Sequence, residues 1–194
     1  AQVNPHFINN ILTVIAGRGM ELGDESIGEI CDAVASMLRY SADTTDDSAT
    51  VEEELEHMST YLYLMKQRLE NRLEYHLDIE PGICAARLPK MVLQQFVENS
   101  ITHGFTGEQR GLTINVRGFL HGNTWFVEIT DNGAGYQSNK LVLLNKKIST
   151  INEESIKEVI DSGLEIGGLG LINTYIRLYL FYHGNFNWSI DNQP

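Results

Sequence analysis

From residue 5 to residue 69 the apolar positions recur at steps of three and four, the spacing that keeps one face of a helix out of water. Ile8, Ile11, Leu12 and Ile15 make a first stripe, with His6, Asn10, Thr13 and Gly17 on the opposite side, so His6 is expected to look outward. Asn4 and Pro5 read as N-cap and first helical position, since proline lacks only an amide that would be unpaired there. Ser26 and Glu29, in capping-box spacing, open a second helix carrying Ile27, Ile30, Val34 and Met37. After the acidic, polar segment 42–49, Thr50 and Glu53 open a third, carrying Val51, Leu55, Met58, Leu62, Met65 and Leu69. Three amphipathic helices predict a bundle over residues 1–72, completed by a second copy of the chain.

The period then falls to two. Tyr75, Leu77 and Ile79 share one face of a strand that Pro81-Gly82 ends. Pro89 is expected to start a helix through Met91, Val92, Phe96, Val97 and Ile101, with Gly104 stopping it. Alternation at Leu112, Ile114 and Val116, and again at Trp125, Val127 and Ile129, predicts a hairpin around His121-Gly122-Asn123-Thr124. Residues 136–165 read as helices, one at Leu141 to Leu144, and a mobile loop. Gly163, Gly167, Gly168 and Gly170 precede a helix bearing Leu171, Ile172, Tyr175, Ile176 and Tyr179 that ends near Gly184, and Phe186, Trp188 and Ile190 alternate as a final strand. The class is α+β, a helical segment at 1–72 and an α/β domain at 73–194.

Composition narrows the chemistry. A formal charge of -12 disfavours a nucleic-acid or anionic-membrane surface, which needs clustered Lys and Arg. Phosphate, if bound, needs a metal or backbone amides. Cys31 and Cys84 lack metal-ligand spacing and read as small apolar thiols of a reduced compartment. No apolar run reaches the roughly 18 residues of a membrane span. The chain starts without methionine and stops at Asn192-Gln193-Pro194 just after a strand-like run, so a piece of a longer protein is expected, with any membrane anchor upstream.

Within the fourth helix Gln95, Glu98, Asn99 and Thr102 align, placing a carboxylate beside an amide oxygen on an otherwise apolar helix, which suits a hard cation; the alternative is an ordinary exposed face. Asp131, at a strand end before Gly133 and Gly135, is either part of a turn or a carboxylate facing a ligand that approaches the backbone closely. Glycines ahead of the Leu171 helix suit an anion or a hinge. No Gly-Lys-Ser/Thr phosphate loop occurs, and the glycines at 168 and 170 lack the third of a dinucleotide fingerprint.

In order and spacing these segments resemble a known module. Leu93-Gln94-Gln95-Phe96-Val97-Glu98-Asn99-Ser100-Ile101-Thr102-His103-Gly104, then Asp131-Asn132-Gly133-Ala134-Gly135, then Gly168-Leu169-Gly170-Leu171-Ile172-Asn173-Thr174-Tyr175-Ile176-Arg177-Leu178 are similar to the ATPase boxes shared by histidine kinases, gyrases and mismatch-repair ATPases. Asn4-Pro5-His6-Phe7-Ile8-Asn9-Asn10, Leu38-Arg39-Tyr40 and Glu53-Glu54-Leu55 resemble the phosphoacceptor and dimerisation region of LytS-type sensor histidine kinases. The resemblance covers nearly the whole chain. It implies a left-handed βαβ ATP-binding sandwich of the Bergerat type, with helices on one face of a mixed sheet, following a dimeric helical bundle. It also implies ATP and magnesium as cofactors. Asn99 would hold the magnesium, Asp131 the adenine amino group, and Gly133 and Gly135 would admit the base. Gly168, Leu169 and Gly170 would shape the phosphate lid, His103 would complete the nucleotide contacts, and Asn173 and Arg177 would hold loop and helix.

His6 would then be the phosphoacceptor and would pass its phosphoryl group to an aspartate of a response regulator, the chain being the cytoplasmic part of a bacterial membrane sensor. Neutral imidazole is the nucleophile, and positioning and charge neutralisation carry phosphoryl transfer. Two departures matter. Phe7 follows His6 where many relatives carry an acid, leaving Glu98 as candidate base, and Thr102 stands where a lysine is common. Asn10, one turn after His6, is either a solvated position or a group that orients water for dephosphorylation. Proline at position 5 also fits a kink in a longer helix arriving from upstream. Competing readings are an ATP-dependent conformational switch without histidine transfer and a scaffold with a degenerate site.

Overall fold

The computed structural model describes residues 5–105, 111–152, 154, 156 and 170–192. Helix α1 (Pro5–Glu21) turns within three residues into α2 (Glu25–Ala42), so the two run antiparallel and pack along their length. The predicted stripe on α1 divides: Ile8 and Leu12 are half-buried, whereas Ile11 and Ile15 stay 41% and 45% exposed. An apolar face of that width exceeds what one neighbouring helix covers. The N-cap of α2 is Asp24 rather than Ser26: its carboxylate accepts the Ser26 amide at 3.0 Å and the Ser26 hydroxyl at 2.6 Å, so the helix starts at Glu25.

Strand β1 (Ser48–Thr50) leads into α3 (Val51–Leu69), where the predicted capping box is present, Thr50 Oγ1 accepting the Glu53 amide at 3.2 Å and Glu53 Oε2 the Thr50 amide at 2.8 Å. Strand β2 (Leu73–Ile79) begins the sheet. After β3 (Arg87–Pro89), antiparallel to β1, comes α4 (Val92–Gly104), then β4 (Leu112–His121) and β5 (Thr124–Asp131), joined by the predicted tight turn. The sheet order is β2-β4-β5, parallel across β2 and β4 with Leu73 opposite Leu112, antiparallel across β4 and β5 with Ile114 opposite Asp131. It is the expected mixed sheet of an α+β fold.

One face of β4, carrying Leu112, Ile114 and Val116, is buried, while Asn115 and Arg117 on the other are exposed. The buried face joins Val51, Met58 and Leu62 of α3 and Val92, Leu93, Val97 and Ile101 of α4 in one core. Thus α3, read from sequence as part of the bundle, shares its core with the sheet. Its apolar stripe is seated there, which leaves α1 and α2 as a two-helix hairpin.

Pro89 ends β3 and does not start α4. Met91 takes a left-handed conformation at φ 61°, and the helix begins one residue later. The predicted helix within 136–165 is α5 (Ser138–Ser149), and α6 (Gly170–Tyr182) follows. Gly163, Gly167 and the loop read as mobile lie largely outside the described residues. The final strand is absent among the described residues: Phe186 and Trp188 pack with Tyr175 at centroid distances of 5.2 and 5.5 Å, so the alternating aromatics fill space under α6 instead of joining a ladder. No helix among the described residues is long and apolar enough to cross a membrane.

Candidate functional site

The site is built on α4. Its first turn points unpaired amides at Glu54, a fully buried carboxylate from α3 that accepts Leu93 N at 3.0 Å and also Met91 N. Glu54 accepts the Tyr40 hydroxyl of α2 as well, at 2.6 Å; burial, then Glu54 itself, pushes that phenol well above its usual range. His57, one turn beyond Glu54 on α3, stacks on Tyr40 at 4.1 Å between centroids. Burial pushes the imidazole below 6.5, with the neighbouring Gln94 and Glu54 opposing the shift, although neither His57 Nε2 nor Gln94 Oε1 completes a hydrogen bond of good geometry.

Halfway along α4, the half-buried Asn99 donates from Nδ2 to the Gln95 carbonyl at 2.6 Å, which leaves its amide oxygen as the group offered to a ligand. Magnesium commonly takes one or two protein oxygens and fills its octahedron with phosphates and water, so this single oxygen fits such an ion delivered with a nucleotide. Glu98, Thr102 and His103 lie on the same helix, Glu98 and Thr102 toward α3 and His103 exposed near its end. Gly170, at the head of α6, sits over Gln95: a Cβ there would lie 3.1 Å from Gln95 Nε2. Gly168 and Leu169 lie outside the described residues. Arg177 of α6 donates to the Lys90 carbonyl at 2.7 Å, tying α6 to the approach to α4, while Asn173 is exposed.

The loop after β5 closes on the other end of α4. A Cβ on Gly133 would stand 2.6 Å from Gly104 Cα and 2.7 Å from Asp131 Oδ1, so the missing side chain lets two backbones touch. Asp131 Oδ1 accepts Gly133 N at 2.9 Å, and Asn132 exchanges hydrogen bonds with Thr113, its amide donating at 3.2 Å and its Oδ1 accepting at 2.7 Å. Gly135 adopts φ +66°, and a Cβ on it would meet Asn192 Oδ1 at 2.8 Å. Asn192 pairs with both sides of Tyr136, Oδ1 accepting its amide at 2.8 Å and Nδ2 donating to its carbonyl at 2.7 Å. Burial, and then the charge of Asp131, raises the Tyr136 phenol.

Asn99, Gly170, Gly104, Gly133 and Asp131 are thus gathered around one helix. His6 is not among them. It is exposed on α1, which packs principally on α2, with its Nδ1 3.4 Å from Asn10 Nδ2. Sequence reasoning missed Glu54 and Asn192. Glu54 carried a signal: it lies three residues after Val51 and four before Met58, on the face that the stripe buries. Asn192 carried none.

Comparison with known proteins gives the constellation its context. A family model described as Histidine kinase matches residues 1–73. Sensor histidine kinase BtsS of Escherichia coli K12 is 29% identical over 137 residues, 71% of this chain and 24% of that protein. Sensor histidine kinase YesM of Bacillus subtilis is 28% identical over 135 residues, 70% and 23% of the two chains. Sensor protein LytS of Enterococcus faecalis is 28% identical over 153 residues, 77% and 26%. The chain spans about a quarter of the length of these relatives. With that match over the helical hairpin and α3, and with relatives of this type aligned over most of its length, the chain is similar to LytS-type sensor histidine kinases.

Proposed function

We propose that the chain is the catalytic core of a two-component sensor kinase in which His6 takes the γ-phosphoryl group of Mg-ATP. The observation that carries this reading is the convergence on α4 of the Asn99 amide oxygen, the Asp131–Gly133 loop and the head of α6. Asn99 and His103 meet the phosphate end, Asp131 receives the adenine amino group through the oxygen that Gly133 N leaves open, and the loops beside them exclude water. Magnesium bound at Asn99 would neutralise phosphate charge. An imidazole nitrogen of His6 forms the new bond to phosphorus, the bond to the β-phosphate oxygen breaks, ADP leaves with the electron pair, and the imidazole proton passes to a base, for which Glu98 is the candidate.

The phosphohistidine then gives its phosphoryl group to a carboxylate of a response regulator, the P–N bond breaking as the acyl phosphate forms. The working unit is a homodimer, because α1 leaves Phe7, Ile11 and Val14 exposed on one face. The acidic net charge and the two free thiols suit the cytoplasmic side of a bacterial membrane sensor.

Incubation with γ-labelled ATP and magnesium tests the reading. Acid-labile label on the wild type that is lost in His6→Gln is the expected result. Label that persists in His6→Gln overturns the assignment of His6; tight ATP binding with no label on any residue supports a conformational switch instead.

A further inference from the structure

Lys90 stands between β3 and α4, and its side chain and backbone are claimed by different elements. The ammonium group donates to the Asp43 carboxylate at 2.8 Å and to the Asp43 carbonyl at 3.3 Å, and it lies 5.4 Å from the centre of the Tyr40 ring. Asp43 is the C-cap of α2, so this cation sits at the negative end of a helix dipole and fastens the end of the hairpin. The hydrogen bond from Lys90, followed by those from Thr45, holds the Asp43 carboxyl well below the usual carboxylate range. The Lys90 backbone turns to other partners: its amide donates to the Asp47 carbonyl at 3.1 Å, its carbonyl accepts Arg177 of α6 at 2.7 Å, and the following amide, Met91 N, goes to Glu54 of α3. Arg87 repeats the division. Its guanidinium donates to Asp46 at 2.6 Å, and its carbonyl accepts the Tyr182 hydroxyl of α6. Along 87–90, side chains therefore hold the 43–48 tether between α2 and α3, while carbonyls hold α6.

Two sets of bonds on one short segment make its two sides interdependent. The head of α6 lies close against α4, where a Cβ on Gly170 would come within 3.1 Å of Gln95 Nε2, one turn before Asn99. A ligand seated between Asn99 and that head fixes where α6 lies, and α6 cannot move along α4 without drawing on the carbonyls of Lys90 and Arg87. The segment ends at Met91 with φ 61°, a left-handed conformation that a side chain such as methionine keeps only where surrounding bonds hold it. Loosening either side gives that backbone a less strained alternative, the second arrangement that a switch requires. We propose that Lys90 is a relay residue, through which the seating of α6 on α4 and the docking of the hairpin that carries His6 form one conformational equilibrium that the nucleotide shifts. This inference rests on the nucleotide reading of α4 given above. Linkage makes the coupling reciprocal: bound nucleotide tightens the 43–48 tether, and a loosened tether weakens nucleotide binding.

Amide hydrogen exchange of the chain with and without saturating Mg-ATP tests it, using the wild type, D43N, R177A and K90R, with calorimetry confirming that nucleotide is bound and thermal melts confirming the fold of each. D43N cuts the relay on the hairpin side and R177A on the α6 side; if R177A does not fold, D43N decides alone. In the wild type Mg-ATP is expected to slow exchange over 43–48 about tenfold, within the usual range of couplings between sites. That response should vanish in D43N and R177A although both are saturated with nucleotide, and should survive in K90R, which keeps the charge. A wild type that binds Mg-ATP with no change over 43–48, a response retained in D43N or in a folded R177A, or a response lost in K90R overturns the relay while leaving the nucleotide site standing. A wild type that binds no nucleotide overturns the site and the relay together.

Discussion

Glu54 of α3 accepts the amide of Leu93 in the first turn of α4 at 3.0 Å, so the helix that carries Asn99 is capped by a carboxylate from a different helix. The same carboxylate holds Tyr40 of α2, which makes it the point where the helical hairpin, α3 and α4 meet. Negative charge at a helix N-terminus is favourable, and in a buried position it is costly to remove because its donors lose their partner.

Glu54→Ala is therefore expected to destabilise the chain by about 3 kcal/mol, leaving Met91 N, Leu93 N and the Tyr40 hydroxyl without their acceptor. Tyr40→Phe removes one hydrogen bond and should cost about 1 kcal/mol. Urea unfolding of both and of the double variant gives the coupling; because a phenylalanine there has no hydrogen bond to lose when Glu54 goes, the double variant should be less destabilised than the sum. Simple additivity would show that the two do not act as a unit.

His57 predicts a pH dependence whose sign is fixed. Burial lowers its folded value below 6.5, so the native imidazole stays neutral while the unfolded one takes up a proton as pH drops through 6.5. The unfolded state then binds more protons, and stability is full above that value and declines below it until the folded value is reached. In urea melts between pH 8 and pH 5, wild type should lose ground relative to His57→Gln. Parallel curves would show that burial does not hold the imidazole neutral.

Most of this arrangement was legible where one element's own periodicity sets its structure. The stripe of Val51, Met58 and Leu62 marked α3, and alternation at Leu112, Ile114 and Val116 marked a buried strand face. What periodicity does not contain is the neighbour. It made α3 amphipathic without saying that its apolar face meets a sheet, and it made α1 apolar over a width that α2 covers only in part. Pro89 was misread because a proline suits the end of a strand as well as the start of a helix. At the site, Asn99 and Asp131 stood out by residue type and order, but Asn192 acts 56 residues away from Tyr136 through contacts that no local pattern encodes.

Asn99 is predicted to matter for the ion and little for the fold. Asn99→Ala deletes the amide oxygen and one hydrogen bond within its own helix, so stability should change by about 1 kcal/mol or less. Nucleotide affinity measured in magnesium should fall to the level seen in EDTA. A variant whose affinity still rises on adding magnesium would place the ion elsewhere.

The loop after β5 should respond in two different ways. Asn192→Ala removes the pair of hydrogen bonds on Tyr136 at the surface, for an expected cost of about 1–2 kcal/mol and faster amide exchange at 133–136. Gly133→Ala sets a methyl 2.6 Å from the backbone of Gly104, where no flexible side chain is available to yield. It should displace the loop from α4 and weaken ATP binding far more than Asn192→Ala does. Equal affinities for the two variants would separate the Gly133–Gly104 contact from the nucleotide site.

The hairpin supplies the last prediction. Phe7, Ile11 and Val14 are 59%, 41% and 65% exposed at i, i+4 and i+7, one face of α1, immediately after His6. A contiguous apolar face on a hairpin of only two helices lacks the burial that a helix bundle ordinarily provides, and a second hairpin packed against it by a two-fold axis supplies it. Ile11→Glu with Val14→Glu puts like charges from both copies into that interface in the dimer while leaving them in water in the monomer, where the two positions touch solvent already. Sedimentation should therefore show a dimer for wild type and a folded monomer for the double variant at the same micromolar concentration. A double variant that sediments as the wild type does would place the contact between copies on another surface and leave this stripe without a role.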